Sequence, residues 1–263
     1  MRPSARHDAI LRHLTDRGPA SVADFASSLH ASEITIRRDL AALAARGLLR
    51  RTRGGAAPVP NGTAEFVFEQ ARQSANLEAK RAIGRAVASR VQPGQSLSLD
   101  TGTTTLEVAR CLPRSANLRV LTSSLAIASL LQTREDIELI LLGGALRRGS
   151  PDLYGLVTER NLREFRVDLA VIGADAVGPD GLFTTDQRIA QVSQAMVESA
   201  AAVCLVADAS KLSARALVRF AEWDQVRSFV TDAALNAQDT RWLGRLAVEL
   251  VVTEPKDEES GHG

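Results

Sequence analysis

Chemically active side chains follow several apolar runs in the later part of the chain. The run "SLSL" leads into Asp100 and then into "TGTTT", where Gly102 permits a tight backbone turn before a helical stretch. Backbone amides at the start of a helix attract anions, so we predict a phosphate site at the amides and hydroxyls of residues 103–105. Lys211, one of only three lysines in the chain, follows a later apolar run in "DASK" and can neutralise a phosphate.

Further apolar runs end in residues of the same kinds. Asp175 and Asp208, like Asp100, can accept hydrogen bonds from sugar hydroxyls. A single Gly-Thr turn or Gly-Gly pair ordinarily serves only as a helix cap or a turn, whereas five successive run ends with such groups favour a ligand pocket. The candidate ligand-binding residues are Asp100, Gly102, Thr103, Thr104, Thr105, Ser123, Ser124, Gly143, Gly144, Asp175, Asp208 and Lys211.

The segments that carry these residues alternate between apolar runs and helical stretches over residues 77–253, which we call the body. Continuous apolar runs such as "VDLAVIGAD" and "AVCLVAD" are typical of parallel strands buried on both faces. We therefore predict an α/β body with a Rossmann-like doubly wound sheet. Ligands of such sheets bind outside the carboxyl ends of the strands, where the candidate residues would gather.

Residues 1–57, which we call the head, have a different character. They hold ten arginines, no lysine and five acidic residues, a net charge of +5 against −4 for the remainder. Three helical stretches precede "LLRRTRGGAA", in which Gly54-Gly55 permits the tight turn of a hairpin. A helix-turn-helix at about residues 20–39, followed by a basic hairpin, is typical of a winged helix-turn-helix that binds DNA.

The third helical stretch is the predicted DNA-contacting helix. We expect Ser21 and Ser32 to cap the second and third helices. Arginine can donate two hydrogen bonds to guanine, and arginines on the hairpin can reach the DNA backbone or minor groove. The candidate DNA-binding residues are Ser21, Ser32, Thr35, Arg37, Arg38, Arg51 and Arg53.

Both parts of the chain resemble the DeoR family of bacterial transcription regulators. In the head the resemblance rests on "TIRRDL" followed by "GLLRR" and "RGGA", and in the body on "LDTGTTT", "LTSS", "LLGG", "VDLAVIGAD" and "DASK" in order. It implies a winged helix-turn-helix domain at 1–57 and a sensor domain at 77–253, and the Pro-, Gly- and Asn-rich start of residues 58–76 indicates a linker between them. The sensor fold would be similar to sugar-phosphate isomerases and acyl-CoA transferases. Residues 254–263 are an expected disordered tail.

The resemblance also implies a function. The protein would be a repressor of carbohydrate or polyol metabolism genes, whose operator binding responds to a phosphorylated sugar or polyol held by the candidate residues of the body. The implied partners are double-stranded operator DNA, this effector and further copies of the chain in a dimer or tetramer. We predict a cytoplasmic protein without membrane association, cofactor or metal site.

Some residues depart from the family pattern. Arg53 stands where the family usually has His, and Ser123 where many members have Asn. Ser193 stands where many members have Lys, which bears on how highly charged the effector is; Arg147 and Arg188 are candidates to compensate. We expect Lys80, on the first helical stretch of the body, to lie in solvent without a role in the site, although family members tend to carry Lys there.

Two other classes of protein compete with a ligand-responsive regulator. Aldose–ketose isomerisation needs a carboxylate base, and Asp100, Asp175 and Asp208 are of the required type. However, "TDQRIAQVSQAM" offers neither Glu nor Lys, and the four histidines, at positions 7, 13, 30 and 262, lie outside the predicted sheet. We therefore predict no catalytic residue and no enzyme. In the other class the body only oligomerises, and a ligand screen would show no response.

Overall fold

The computed structural model describes residues 3–45, 48–58 and 75–254. The chain divides into two compact units, residues 1–76 with 148–150 and residues 77–147 with 151–263. The expected linker at 58–76 and the expected tail at 254–263 lie almost entirely outside the described residues. Within the described residues, no helix has the length and apolar character that crossing a membrane requires.

The head unit combines three helices with a small antiparallel sheet. Its elements are α1 (Pro3–Arg17), β1 (Ala20–Ser21), α2 (Val22–Ser28), α3 (Glu33–Ala45), β2 (Arg50–Thr52) and β3 (Gly55–Ala57). The strands lie in the order β1-β3-β2. Apolar residues spaced three or four apart on the helices, such as Ile10, Phe25, Ile36 and Leu40, are fully buried in one core. The predicted helix-turn-helix and hairpin are therefore confirmed.

Both predicted serine caps form. The Ser21 hydroxyl accepts a hydrogen bond from the Asp24 amide at 3.1 Å, and the Asp24 carboxylate accepts one from the Ser21 amide at 2.9 Å. The Ser32 hydroxyl accepts a hydrogen bond from the Thr35 amide at 3.2 Å. These caps satisfy amides that lack a helical acceptor, and each typically contributes about 1 kcal/mol of stability.

The hairpin turn differs by one residue from the Gly54-Gly55 pair expected from the sequence. Because Thr52 pairs with Gly55, the two turn residues are Arg53 and Gly54, and Gly54 has the positive φ of 92°. Gly55 instead begins β3 beside β1, where a Cβ atom would lie 2.1 Å from the Ala20 carbonyl oxygen. The second glycine thus serves the close approach of two strands rather than the turn.

The body is built on a seven-stranded sheet in which every pairing is parallel. Its helices are α4 (Leu77–Ala88), α5 (Thr103–Cys111), α6 (Leu125–Leu131), α7 (Leu156–Arg163), α8 (Gln187–Glu198) and α9 (Ala237–Leu243). The strands of the large sheet are β4 (Ser96–Leu99), β5 (Leu118–Thr122), β6 (Ile137–Leu141), β9 (Leu169–Ile172), β12 (Val203–Val206), β14 (Ser228–Asp232) and β15 (Glu249–Thr253). The remaining strands form two small antiparallel sheets: β7 (Ala145–Leu146), β8 (Leu153–Tyr154), β10 (Ala176–Gly178), β11 (Gly181–Thr184) and β13 (Val218–Ala221).

Both faces of the large sheet are covered, which explains its uninterrupted apolar strands. Along β9, Val171 belongs to one core cluster with residues of α4, α5 and α6, while its neighbours Ala170 and Ile172 belong to a second cluster with residues of α7, α8 and α9. All three residues are fully buried. The predicted doubly wound α/β fold is confirmed.

The strand order, β15-β14-β12-β9-β4-β5-β6, contains one reversal. From β4 the chain builds outward through β5 to β6, and then returns to the other side of β4 and builds outward through β9, β12, β14 and β15. The carboxyl ends of β4 and β9 therefore flank the topological switch point, where sheets of this kind bind ligands.

Candidate functional sites

The solvent-facing side of α3 is the candidate DNA-binding face. Its exposed residues are Glu33, Ile34, Arg37, Arg38, Ala41, Ala42 and Ala45. Arg37 donates a hydrogen bond to Glu33 at 2.9 Å, one helical turn earlier. Arg38 is exposed on the same side. Thr35 is half-buried at the edge of this face, and its hydroxyl lies 2.9 Å from that of Ser32. The structure thus presents both arginines outward and draws Thr35 into the cap.

The hairpin is attached to this face by an arginine. The Arg51 guanidinium donates a hydrogen bond to the Arg37 carbonyl oxygen on α3 at 3.2 Å. Arg53 is exposed in the hairpin turn. Ser21, the remaining candidate of the head, uses its hydroxyl in the α2 cap. The Arg51 contact brings a basic residue of the hairpin against α3, and we call the exposed arginines of the two elements the cationic surface of the head.

Sequence reasoning missed Asp39, which follows Arg38 in the "RRDL" motif. Asp39 is buried and accepts hydrogen bonds from Arg6 and His7 of α1, with His7 at 2.9 Å. Burial opposes ionisation, but the hydrogen bonds from Arg6 and His7 outweigh it and lower the pKa of Asp39. The carboxylate thereby joins α1 to α3 beneath the candidate face. An acidic residue between apolar helix positions, Ile36 and Leu40, was the available signal.

In the body, Asp100 lies at the switch point. Its two carboxylate oxygens accept hydrogen bonds from the Thr101 amide at 2.7 Å and from the Gly173 amide, after β9, at 3.1 Å. Burial raises the pKa of the Asp100 carboxyl to about 7, with nearby Asp152 and Asp175 adding to the rise and the two amides opposing it. Asp100 thus binds the two central strand ends to each other and holds a proton readily.

The "TGTTT" turn places a helix N-terminus beside Asp100. Gly102 is the N-cap of α5 and contributes no side-chain cap, and the first amide to find a helical acceptor is that of Leu106, 2.9 Å from the Gly102 carbonyl. The amides of residues 103–105 therefore lack intrahelical acceptors, as an anion site requires. The Thr105 hydroxyl, in contrast, donates to the Asp100 and Gly102 carbonyls at 2.8 and 2.9 Å, which is a structural use.

Three polar residues, Thr122, Ser123 and Ser124, lie at the end of β5. The Thr122 hydroxyl donates to the Leu99 carbonyl at 2.8 Å and accepts from the Ser124 amide at 3.1 Å, while the Ser124 hydroxyl caps α6. The Ser123 hydroxyl is fully buried and finds no hydrogen-bond partner among the described residues. An unsatisfied buried hydroxyl costs free energy, and Ser98 and Thr231 are in the same condition elsewhere in the sheet.

Gly143 and Gly144 pack closely against the following segment. The Gly143 carbonyl accepts a hydrogen bond from the Thr158 hydroxyl at 2.6 Å. A Cβ atom on Gly144 would lie 2.1 Å from the same hydroxyl and 2.7 Å from the Tyr154 carbonyl oxygen. This packing accounts for Gly144 without a ligand, whereas a Cβ atom on Gly143 would meet its nearest neighbour, Val157, at an ordinary contact distance of 3.4 Å.

The later strand ends hold two more aspartates in existing hydrogen bonds. Asp175, after β9, accepts from the Thr184 hydroxyl at 2.9 Å and from the amide and hydroxyl of Thr185 at 3.0 Å. Asp208, after β12, is buried and caps a short 3₁₀ helix, Ala209–Lys211. Lys211 is half-buried two strands from β4, or about 10 Å along the sheet.

A cluster of charged and aromatic residues beside these strand ends was only partly anticipated. Arg188 pairs with Asp186 at 2.7 Å, donates to the Tyr154 hydroxyl at 3.2 Å and lies 4.8 Å from the centre of the Tyr154 ring. Arg147 pairs with the buried Asp152. The charge of Asp152 contributes to the raised pKa of Asp100, and the charge of Arg147 contributes to the lowered pKa of Asp186. The two arginines suggested as replacements for a cation at position 193 therefore belong to the surroundings of the switch point.

Two residues of the body are more buried than their types suggest. Lys80, on α4, was expected in solvent but is only 3% exposed, so the expectation is wrong. The reason is the close packing of α4 on α5: a Cβ atom on Gly84 would lie 2.6 Å from the Glu107 carbonyl oxygen. Ser193 is 2% exposed on α8, among the apolar residues that face the sheet. The available signal was helical spacing, since Lys80 lies at the front of the apolar stripe that continues through Ile83 and Val87, both of which are buried.

Comparisons with known proteins agree in both units. Residues 6–60 match the family model described as the DeoR-like helix-turn-helix domain, and residues 75–233 match the DeoR C terminal sensor domain. Among solved structures, ribose 5-phosphate isomerase A of Methanocaldococcus jannaschii is 22% identical over 52% of this chain and 55% of that chain, with a TM-score of 0.38. A likeness at this level bears on neither function nor mechanism.

Curated relatives match along nearly the whole chain. The HTH-type transcriptional regulator GlpR of Haloferax volcanii is 37% identical over 252 residues, covering 95% of this chain and 98% of that protein. The glycerol-3-phosphate regulon repressor of Escherichia coli K12 is 33% identical over 234 residues, covering 89% of this chain and 92% of that protein. With both family models matched in order and relatives aligned end to end, the chain belongs to the DeoR family of transcription regulators.

Proposed function

We propose that this protein represses carbohydrate or polyol metabolism genes and that a phosphorylated sugar or polyol, bound at the switch point of the body, changes its affinity for operator DNA. Ligand binding is supported chiefly by the N-terminus of α5, which lies beside Asp100. Three backbone amides without helical acceptors adjoin a carboxylate that takes up a proton near neutral pH. A phosphate group bound there would face amide donors and a carboxyl that is partly uncharged.

Two of the remaining candidates, Ser123 and Lys211, supply recognition around that phosphate. The Ser123 hydroxyl is buried without a partner among the described residues, and Lys211 supplies a cation two strands from β4. Arg188 and Tyr154 add donors beside the strand ends. Relatives named for a glycerol-3-phosphate regulon support an effector of the polyol phosphate class. Binding at the body and a changed affinity at the head are connected by thermodynamic linkage, whichever sign the coupling takes.

The DNA half of the proposal rests on the cationic surface of the head. Arg37 and Arg38 project from α3, and Arg51 and Arg53 extend the surface along the hairpin. Together with the net charge of +5 on residues 1–57, this is the charge pattern of a surface that meets a polyanion. The candidate DNA-binding residues are proposed as those contacts.

We also propose the wider organisation that the sequence predicts. The DNA-binding domain would comprise residues 1–57, the linker 58–76, the sensor domain 77–253 and the tail 254–263. The protein would act in the cytoplasm as a dimer or tetramer, because two heads are needed to read a repeated operator. We propose no catalysis, since all three candidate carboxylates are held by hydrogen bonds within the fold. Asp100 accepts from the Thr101 and Gly173 amides, Asp175 from Thr184 and Thr185, and Asp208 caps a turn.

The test is a thermal-shift screen of sugar phosphates and polyol phosphates, each beside its dephosphorylated form. The chain's two tryptophans, Trp223 and Trp242, both belong to the body, so their fluorescence reports unfolding of that unit alone. A specific ligand at a hundred times its Kd would stabilise the body by about 2.7 kcal/mol. We expect stabilisation by a phosphorylated compound and none by its dephosphorylated form.

The compound that stabilises the body is then added to an operator-binding assay. Lys211→Ala should remove the response to that compound while ligand-free operator binding stays intact, and Arg215→Ala, an exposed cation four residues later, is the matched control. If no phosphorylated compound stabilises the body, the result would favour the alternative in which the body only oligomerises. Turnover of the compound, detected by NMR, would instead establish the isomerase-like alternative.

A further inference from the structure

Ile34, the second residue of α3, projects into solvent. Its side chain is 67% exposed. Within the described part of the head it is the one large hydrophobic residue exposed to this degree, while Ile36, Leu40 and Leu43 of the same helix are fully buried. An isoleucine in water contributes nothing to the head's core, and removing its apolar surface from water would stabilise whatever covers it.

The helix geometry places Ile34 at the middle of the exposed face. Successive residues of an α-helix are rotated by about 100°, so Arg37 and Arg38, three and four positions later, lie on either side of the line that runs through Ile34. Ala41, seven positions later, continues that line and is also exposed. The candidate face is therefore centred on an apolar side chain between two arginines, with a small residue behind it.

We propose that Ile34 contacts the C5-methyl group of a thymine in the major groove and so helps to determine operator sequence. The proposal rests on the DNA-binding function proposed above. Residues at the N-terminal end of a recognition helix are those that reach base edges, and the thymine methyl is the apolar feature of the major groove. Thr35, the neighbour that sequence reasoning favoured, is half-buried and hydrogen-bonded to Ser32.

The surroundings of Ile34 favour DNA over a protein partner. Arg37 and Arg38 flank it, and Arg51 is held against the backbone of the same helix by its hydrogen bond to the Arg37 carbonyl. A second copy of the head would bring a like charge of +5 against this surface. Phosphates on both sides of a major groove match the arginines, while the groove floor presents the methyl group to the isoleucine.

The experiment begins with selection of binding sites from random duplex DNA by the full-length protein. Each thymine of the selected site is then replaced in turn by deoxyuridine, which removes the methyl group alone. At one thymine in each half-site, wild-type affinity should fall about fourfold, the transfer value of one buried methyl group. Ile34→Ala should bind the thymine site less tightly and lose its sensitivity to deoxyuridine at that position.

Two variants serve as controls. Ile34→Val shortens the side chain by one methylene and should keep part of the sensitivity. Arg38→Ala removes a different contact, so it should weaken binding while the response to deoxyuridine stays at the wild-type level. Because Ile34 is exposed, the helical circular dichroism of Ile34→Ala should equal that of the wild type.

The outcomes separate the two proposals. If the wild-type protein selects no sequence, operator recognition itself is wrong. If it selects a sequence but Ile34→Ala keeps the wild-type sensitivity at every thymine, only the role of Ile34 is wrong. A change in sedimentation of Ile34→Ala, with DNA binding unaltered, would show that Ile34 instead contacts a second copy of the chain.

Discussion

The Asp100 carboxylate accepts a hydrogen bond from the Gly173 amide at 3.1 Å and so joins the ends of the two strands between which the sheet reverses its order. Asp100 precedes the turn into α5, and Gly173 follows β9. A ligand at the N-terminus of α5 would therefore be adjacent to a bond that connects the two halves of the sheet. The protonation state of Asp100 therefore affects both the charge of the proposed site and the stability of the fold.

The stability of the body should depend on pH through Asp100. Its pKa is raised to about 7 in the folded protein, against about 3.9 for an unfolded aspartate. Between these values the folded state holds a proton that the unfolded state has released, so this group's contribution to the free energy of unfolding falls as pH rises, by up to ~1.4 kcal/mol per pH unit. Urea unfolding followed by tryptophan fluorescence from pH 5 to 8 measures the slope.

Asp100→Asn isolates this contribution, because the amide cannot ionise. Its unfolding free energy should fall less than that of the wild type between pH 5 and 7, and Asp224→Asn, at an exposed carboxylate, is the control. Parallel curves for Asp100→Asn and the wild type would mean that Asp100 is ionised throughout this range.

Two neighbouring hydroxyls should respond in opposite ways to removal. Ser123→Ala removes a buried hydroxyl without a partner among the described residues, so the ligand-free body should keep or gain stability. Thr122→Val removes a hydroxyl that bonds to the Leu99 carbonyl and the Ser124 amide, and should cost about 1–3 kcal/mol. Tryptophan-detected unfolding compares the two variants.

The same pair distinguishes binding from folding. Ser123→Ala should reduce the stabilisation produced by the effector, whereas Thr122→Val should keep most of it after correction for its lower starting stability. Full effector stabilisation in Ser123→Ala would exclude the Ser123 hydroxyl from the site.

Asp39→Ala should loosen the head without affecting the body. It leaves Arg6 without the buried carboxylate to which it donates, and loss of such a hydrogen-bonded charge costs about 1–3 kcal/mol. Hydrogen exchange by mass spectrometry on the full chain should show faster exchange in α1 and α3 and no change in peptides of the body.

Glu33→Ala, which breaks the exposed pair with Arg37, should change exchange little, since such pairs are worth about 0.3–0.5 kcal/mol. Equal protection in Asp39→Ala and the wild type would show that the carboxylate does not join the helices.

The two glycines of the hairpin should tolerate alanine differently. In Gly55→Ala the new Cβ atom meets the Ala20 carbonyl oxygen, a backbone atom that cannot move aside, so pairing of β1 with β3 should be lost. In Gly54→Ala the space is open and only the positive φ is unfavourable, at a cost of about 1–2 kcal/mol. Hydrogen exchange of the hairpin and binding to the selected operator should therefore suffer more in Gly55→Ala. Similar losses in the two variants would contradict the assigned register.

The order of helices and strands was largely predictable because it depends on local periodicity. Ile36, Leu40 and Leu43 recur at helical spacing and form the buried side of α3, and Ser21 and Ser32 cap helices as their types indicate. The apolar runs before Asp100 and Asp208 are strands of the parallel sheet. Motif residues also sufficed to indicate the family, since "TIRRDL" and "TGTTT" are short continuous segments.

Partners distant in the chain were not predictable. Asp39 is 33 positions from Arg6, and Asp100 is 73 positions from Gly173. Residue type alone marked Asp100 as a hydrogen-bond acceptor for a sugar, whereas burial between strand ends makes it a group that titrates near pH 7. Similarly, Lys80 belongs on a helix surface by type and is buried by the packing of α4 on α5.

The sequence by itself therefore determined the two domains, the strand-and-helix order and the short segments that we propose to bind a ligand or DNA, because these depend on patterns within a few residues. Only the tertiary structure decided which hydroxyls are already bonded, which carboxylate is desolvated and which residue lies at the middle of the exposed face of α3. Those properties depend on neighbours brought together by packing, and burial and hydrogen bonding set the charge and availability of each group.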